Sequence, residues 1–401
     1  MANSGSVPAD FGEGLPSQFL EAAHRASPMD IPALVDRYAA SFGMKRAGIH
    51  LVDLQQNLLH PLAEGPPLPV DGSLAGSCYR TQRLRVGEDG DELSLWLPLV
   101  DGSERLGVLG VHGVMIDAPT LRRCRVLAHL LAVVITSKRA YSDTYARKTR
   151  TQPMRLSAEL VRAFLPPRTL GTDQVISTAV LEPAYSLGGD AFDHSLINGS
   201  LHTTIVDAMG HDVASGLVSS LALAGSRSSR RDNAELADLV TGVDDALARW
   251  FPERFCTGIF AQLELANGRL RWANCGHPPP MLVRDQRLLP DALERSPEPP
   301  LGVLAGLGEH ERTIHEITLH PGDRVLFYTD GVIEARAPDG GLFGLERFAD
   351  FIIRATAAGE PAPEALRRLI HDILHHQEGQ LHDDATIMMF EWCPQEPEPY
   401  P

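Results

Sequence analysis

The sequence predicts a chain of class α+β. A smaller amino-terminal α+β unit and a helical linker precede a larger layered sandwich of strands and helices. Three observations point there. Between Val175 and Glu391 short β-branched and aromatic runs recur among turn signals, interrupted by only a few helical patterns. Ahead of Arg139, helical patterns flank a set of strand-like runs. From Ala140 to Leu165 the chain is polar and basic, then carries the apolar positions Leu156, Leu160, Val161 and Phe164 at helical spacing. A length of 401 residues leaves room for two or three domains, at roughly 150 residues each.

Taken in order, residues 1–14 are small, polar and Gly/Pro-containing, and are expected to be disordered. Ile31, Leu34, Val35, Tyr38 and Ala39 share one helical face, with Asp30 as N-cap and Pro32 in the first turn. Strand-like runs begin at Ala47 (AGIHLVD), Leu93 (LSLWLPLV) and Leu106 (LGVLGVHG). Asp101-Gly102-Ser103 makes the last two an antiparallel hairpin. A helix from Pro119 to Lys138 closes the unit. This order of elements resembles a GAF domain, a small sensor module, over residues 15–139. The resemblance implies a ligand pocket under a loop, here Asp71–Gln82. Cys78 in that stretch is read as a small half-buried loop residue in preference to a redox or chromophore-attachment residue. His60 and His112 stand singly in the sequence, and lone histidines are seldom ligands.

Residues 140–165 read as a helical linker whose apolar stripe is buried against the following domain or a second copy of the chain. The larger unit, residues 166–393, is expected to hold strands VISTAVLE, LHTTIVD, TGIFAQLEL, RLRWAN, MLV, HEITL, RVLFYTD and ATIMMFE. Asn267-Gly268 predicts a type I′ hairpin turn. Helices are expected over Ala214–Ser226, Ala234–Trp250 and Glu364–His376. The Pro-rich, acidic tail 394–401 is expected to be disordered.

Bulk properties exclude some functions. A net charge of -16 argues against a nucleic-acid binder, which needs Lys and Arg to neutralise phosphates. Five cysteines, odd in number and never in a CxxC pair, suit a reducing cytoplasm better than a disulfide framework or zinc site. No signal peptide is legible, and the longest apolar run, Val126–Ile135, is far short of the roughly 20 residues that span a bilayer. A cytoplasmic protein without a membrane partner is expected.

The chemistry lies in four acidic clusters: GGDAFD (188–193), DAMGHD (207–212), YTDG (328–331) and DDAT (383–386). Each places a carboxylate at a strand end or in the loop beside it, where a rigid scaffold can present it. Singly, such pairs commonly mark turns. Gathered at one point they would repel, and cations would offset that cost. Oxygen ligands without thiols or clustered histidines select Mg²⁺ or Mn²⁺ over Zn²⁺. Two such ions can clamp a phosphoryl group and activate water for in-line attack.

These four motifs, together with LEPAYSLGGD, NCGHPPPMLV, PPLGV, LHPGDRVLFYTDGVIEA and LFG, resemble the SpoIIE (PPM-type) branch of metal-dependent serine/threonine protein phosphatases. The resemblance covers Met154–Glu391. It implies an α/β/β/α sandwich with two Mn²⁺ or Mg²⁺ ions at one edge. It makes Asp207 the bridging ligand beside the main-chain carbonyl of Ala208, with Asp190, Asp330 and Asp383 as further ligands. Asp193 and Asp384 stand either behind these ligands or on a further, weaker ion. His211 is either the proton donor to the leaving seryl oxygen or a residue that orients water or the loop. Asp212, where the branch more often has Gly, is read as a helix N-cap in preference to a charge tuning the site. His277 is expected to buttress the sheet edge.

The resemblance further implies a substrate: a phosphorylated STAS-type antagonist of an anti-sigma factor, in bacterial partner switching. The GAF-like unit would then sense a signal and pass it through the linker to the helix after Gly210, whose small residues permit sliding. A homodimer through the GAF-like unit and linker is expected. Two rival readings are a small-molecule phosphohydrolase with a deep pocket, and a non-catalytic scaffold, which would require a broken ligand set.

Overall fold

In a computed structural model, residues 14–296, 298–303, 312–337, 340–378, 381 and 383–394 are described. The expected disordered segments 1–14 and 394–401 fall almost wholly outside these residues. The chain divides into two units, Met1–Gln152 and Pro153–Pro401.

The first unit contains α1 (Leu15–Arg25), α2 (Ile31–Ser41), β1 (Arg46–Val52), β2 (Leu58–Pro61), β3 (Leu68–Pro69), α3 (Leu74–Thr81), β4 (Arg85–Asp89), β5 (Glu92–Asp101), β6 (Glu104–Gly113), α4 (Ala118–Arg139) and α5 (Thr144–Thr149). Its six strands form one antiparallel sheet in the order β3-β2-β1-β6-β5-β4. Successive residues of β6 serve opposite faces, as the period of a strand requires. Leu109 and Val111 join the core with Phe19, Ile31 and Leu131. Val108 instead packs with Tyr79 and Cys78 of α3.

The expected loop at Asp71–Gln82 is corrected to a helix. The Ser73 hydroxyl caps it by accepting from the Gly76 amide at 2.9 Å. Gly76 lies so close to β3's continuation that a Cβ there would stand 1.9 Å from the Val70 carbonyl oxygen. Cys78 is fully buried rather than half-buried, its thiol donates to the Trp96 carbonyl at 3.2 Å, and burial pushes it up to about 12. A protonated, enclosed thiol has little redox reactivity.

The second unit contains α6 (Leu156–Phe164), β7 (Thr169–Gly171), β8 (Val175–Glu182), β9 (Asp190–Ile197), β10 (Ser200–Ala208), α7 (Val213–Arg231), α8 (Leu236–Trp250), β11 (Cys256–Glu264), β12 (Arg269–Cys275), β13 (Met281–Arg284), β14 (Arg287–Leu289), β15 (His315–Thr318), β16 (Arg324–Tyr328), α9 (Asp330–Ile333), α10 (Leu345–Ala357), α11 (Ala362–His376) and β17 (Ala385–Trp392). Two antiparallel sheets result, β15-β12-β11-β10-β9 and β14-β13-β16-β17-β8-β7. Val325, Phe327, Met388 and Phe390 join the core shared with β10, β11, α7 and α8. Their strand neighbours Leu326, Tyr328, Ile387 and Met389 face the α10 and α11 side. Sheets buried on both faces explain why β16 and β17 read as continuous apolar runs, and the layering is the expected α/β/β/α sandwich.

Two local expectations need correction. The β11–β12 hairpin exists, but only Gly268 has a positive φ, +73°, and a type I′ turn needs two. The link is Leu265–Gly268, closed by the Gly268 amide on the Glu264 carbonyl at 2.9 Å. The stretch 140–165 is two short helices, α5 and α6, rather than one. In α6, Ala158 and Val161 are buried, whereas Leu156 is 69% exposed, so its apolar stripe is narrower than expected. Its partner is α7 of the same unit, where Gly216 faces Val161 and the Ser157 carbonyl.

Candidate active site

β9 begins and β10 ends at the same edge, with Asp190 directly opposite Asp207. Asp190 is buried, and its Oδ2 accepts from Thr329 Oγ1 at 2.8 Å and Thr386 Oγ1 at 2.7 Å. Thr329 lies between the end of β16 and Asp330; Thr386 is the second residue of β17, two after Asp384. The Thr386 amide donates in turn to Thr329 Oγ1 at 2.9 Å. Three motifs far apart in sequence are thus tied to one carboxylate.

Asp384, also buried, holds the turn before β9 by accepting from the Gly188 amide at 2.7 Å and the Asp190 amide at 3.3 Å. Two glycines permit this closeness. A Cβ on Gly189 would stand 2.1 Å from the Ala208 carbonyl oxygen, and one on Gly331 would stand 2.0 Å from the Asp384 carbonyl oxygen. Asp330 and Asp383 are exposed at the rim, and Asp383 Oδ1 accepts from the Asp384 amide at 2.9 Å. The floor is therefore dry and the rim wet.

The electrostatics follow. Burial, then the charges of Asp330, Asp383 and Asp384, push Asp207 up to about 7. Burial, then Asp207 and Asp384, raise Asp190 well above the usual carboxylate range. Asp384 is pushed up to about 6, chiefly by burial, and Asp330 is raised by burial and by Asp383. Crowded, partly desolvated carboxylates disfavour their own ionisation. Among the described residues no three His, Cys, Asp or Glu side chains converge closely enough to hold one ion alone.

Asp193 leaves the predicted ligand set. It points to the other side of β9, and its oxygens accept from Arg227 at 2.7 Å and Arg230 at 3.0 Å. Residues three apart on a strand face opposite ways. His211 is exposed and makes no hydrogen bond among the described residues. Asp212 does cap α7, accepting from the Ser215 amide at 2.8 Å, and Arg254 also grips it. His277 is buried, its Nδ1 paired with Thr257 Oγ1 at 2.8 Å, and burial lowers it to about 3. Its backbone and Asn274 are reciprocally bonded, consistent with the expected buttress. Thr329 and Thr386 lie inside the YTDG and DDAT motifs, but nothing in the sequence marks their hydroxyls as partners of Asp190. Arg254 had no motif at all.

Residues 197–393 match the family model for Stage II sporulation protein E (SpoIIE). The chain is 24% identical over 260 residues to Protein IcfG of Synechocystis sp., covering 57% of this chain and 40% of that protein. It is 25% identical over 174 residues to phosphoserine phosphatase RsbP of Bacillus subtilis, covering 41% of each. It thus spans about two fifths of the length of these curated relatives. The solved SiaA-PP2C domain of Pseudomonas aeruginosa superposes with a TM-score of 0.51 at 21% identity, over 59% of this chain and 94% of that one. Sandwich layering and the solved PP2C domain agree on the fold of the carboxyl-terminal unit, and residues 197–393 within it are similar to the SpoIIE family.

Proposed function

We propose that the protein is a metal-dependent phosphatase that hydrolyses phosphoserine or phosphothreonine on a partner protein. The observation that carries this reading is the facing pair Asp190 and Asp207, ringed by further carboxylates and held far from their ordinary ionisation. Such a group fits divalent hard cations: the donors are all oxygen, and the charge they lack is positive. Asp207, the Ala208 carbonyl, Asp190, Asp330 and Asp383 would hold two Mg²⁺ or Mn²⁺ ions, each by one or two carboxylates with water completing the shell. Bound there, the ions supply an activated water and charge for the phosphoryl oxygens.

The chain's own residues do the rest. Thr329 and Thr386 fix the Asp190 carboxyl in one orientation, and Asp384 fixes the backbone that carries it. Asp193 belongs to the scaffold. His211, exposed on the loop after Asp207, is free to give a proton to the leaving seryl oxygen. A phosphorylated STAS-type anti-sigma factor antagonist is the substrate we favour, and the relative RsbP is itself named a phosphoserine phosphatase. We further assign the amino-terminal unit a GAF-like sensing role, with dimerisation through it and the linker, in the cytoplasm. No helix among the described residues is long and apolar enough to cross a membrane.

The test is phosphate release from para-nitrophenyl phosphate and from a phosphoserine STAS protein, each with Mn²⁺, Mg²⁺ or chelator. Release should need metal and fall at least about 100-fold in Asp207→Asn, since even partners behind a ligand commonly cost 10–100-fold. Metal-independent release, or full activity in Asp207→Asn, would reject the reading.

A further inference from the structure

The loop from Ala208 to Asp212 is packed on two sides. On one side lie the glycines before β9: a Cβ on Gly188 would stand 2.5 Å from the His211 Cα. On the other stands Arg254, between α8 and β11. Its Nη1 donates to the Met209 carbonyl at 3.4 Å and to Asp212 Oδ1 at 3.2 Å, and its Nη2 donates to Asp212 Oδ2 at 2.9 Å. The Met209 amide donates back to the Phe255 carbonyl at 3.3 Å. One guanidinium therefore joins the end of β10, the first turn of α7 and the start of β11.

Between its two anchor points, Met209 and Asp212, lie Gly210, with φ at +94°, and His211. Glycine at such a φ leaves the loop conformationally loose unless it is fixed from outside. The fork of an arginine can do this; a lysine, with one compact ammonium, cannot grip both carboxylate oxygens and a carbonyl in a fixed plane.

We propose that Arg254 is a positioning residue for the metal-bearing loop: through Met209 and Asp212 it sets where the Asp207 carboxylate, the Ala208 carbonyl and the His211 ring stand. The inference rests on the phosphatase reading above. It does not make Arg254 a stability device, because its side chain is 28% exposed and that of Asp212 is 58% exposed, and ion pairs so placed contribute little to folding. Arg254 bonds to the Asp212 carboxylate and the Met209 carbonyl, not to Asp190, Asp207, Asp330 or Asp383; its action runs through the loop.

The test uses the full chain as wild type, Arg254→Ala, Arg254→Lys and Asp212→Asn, the last keeping a competent N-cap. Mn²⁺ binding is followed by the electron paramagnetic resonance signal of free Mn²⁺, alongside the thermal midpoint in chelator. All three variants should need about tenfold more Mn²⁺ for half-saturation, with the midpoint in chelator nearly unchanged. Combining Arg254→Ala with Asp212→Asn should be no worse than either alone. Wild-type Mn²⁺ affinity in folded Arg254→Ala, or full rescue by Arg254→Lys, would overturn the proposal. If Arg254→Ala does not fold, Arg254→Lys and Asp212→Asn decide it by the same criterion. A wild type that binds no Mn²⁺ would sink the phosphatase reading itself, and this one with it.

Discussion

Asp190 and Asp193 sit three residues apart on one strand, and both are buried. They share sequence neighbourhood, residue type and desolvation, yet they live on opposite faces with opposite electrostatics. Asp193 meets two guanidiniums, Arg227 and Arg230, which bind β9 to α7. Asp190 meets hydroxyls and other carboxylates, and its ionisation is suppressed by burial and by Asp207. The contrast teaches that a buried aspartate identifies a site only when its compensating charge is missing from the protein. Asp193 is complete as it stands. Asp190 has hydroxyls and other carboxylates beside it instead.

The sharpest way to break this comparison is to remove each kind of charge in chelator and measure stability by denaturant unfolding. Asp193→Ala strands Arg230 in the interior and should destabilise the fold by about 3–5 kcal/mol. Asp207→Asn removes like-charge crowding and should leave metal-free stability equal or raised. Equal losses from both would erase the distinction.

A smaller effect is the response to pH. Asp207 and Asp384 titrate near 7 and 6 in the folded chain, against roughly 4 for an unfolded aspartate. Raised folded values mean that the folded state holds more protons across this window. Their favourable contribution is present below about pH 4 and is lost as pH rises through 7. Thermal stabilisation by Mn²⁺ should therefore be larger at pH 8 than at pH 6, as read from midpoints with and without metal. Equal stabilisation at the two pH values would count against an uncompensated carboxylate cluster.

Smallest is Thr386→Val, which keeps shape while deleting one of two hydroxyl donors to Asp190. Mn²⁺ affinity, measured by calorimetry, should fall by about tenfold or less, with Thr329 still in place. No change would mean that Thr386 does not help orient that carboxylate.

Much of the architecture was legible because strand period and turn chemistry agree with the tertiary answer. β8, β10, β12 and β17 lie within a residue or two of their predicted bounds. The short edge strands β7 and β14 were missed, as was α10, whose apolar positions Phe348 and Ile352 were not read as a helical face. At Asp71–Gln82 the GAF resemblance implies a loop, whereas the chain forms a helix there in which Gly76 serves close packing against Val70. At the site, the aspartates were legible as residues with unusual placement. Which way each points was not, since face depends on where a strand begins, and β9 starts at Asp190 itself. The Arg254 contact joins residues 42 positions apart without any local pattern to announce it.

The ties that Asp190 makes to Thr329 and Thr386 span 139 and 196 residues. Closing such loops is what makes high-contact-order domains slow to fold. None of the four acidic motifs is a local structure that could preassemble; the carboxylates meet only once both sheets have formed and stacked. An incompletely folded chain therefore offers only scattered aspartates to the solvent. The gathering of these carboxylates is a property of the finished topology.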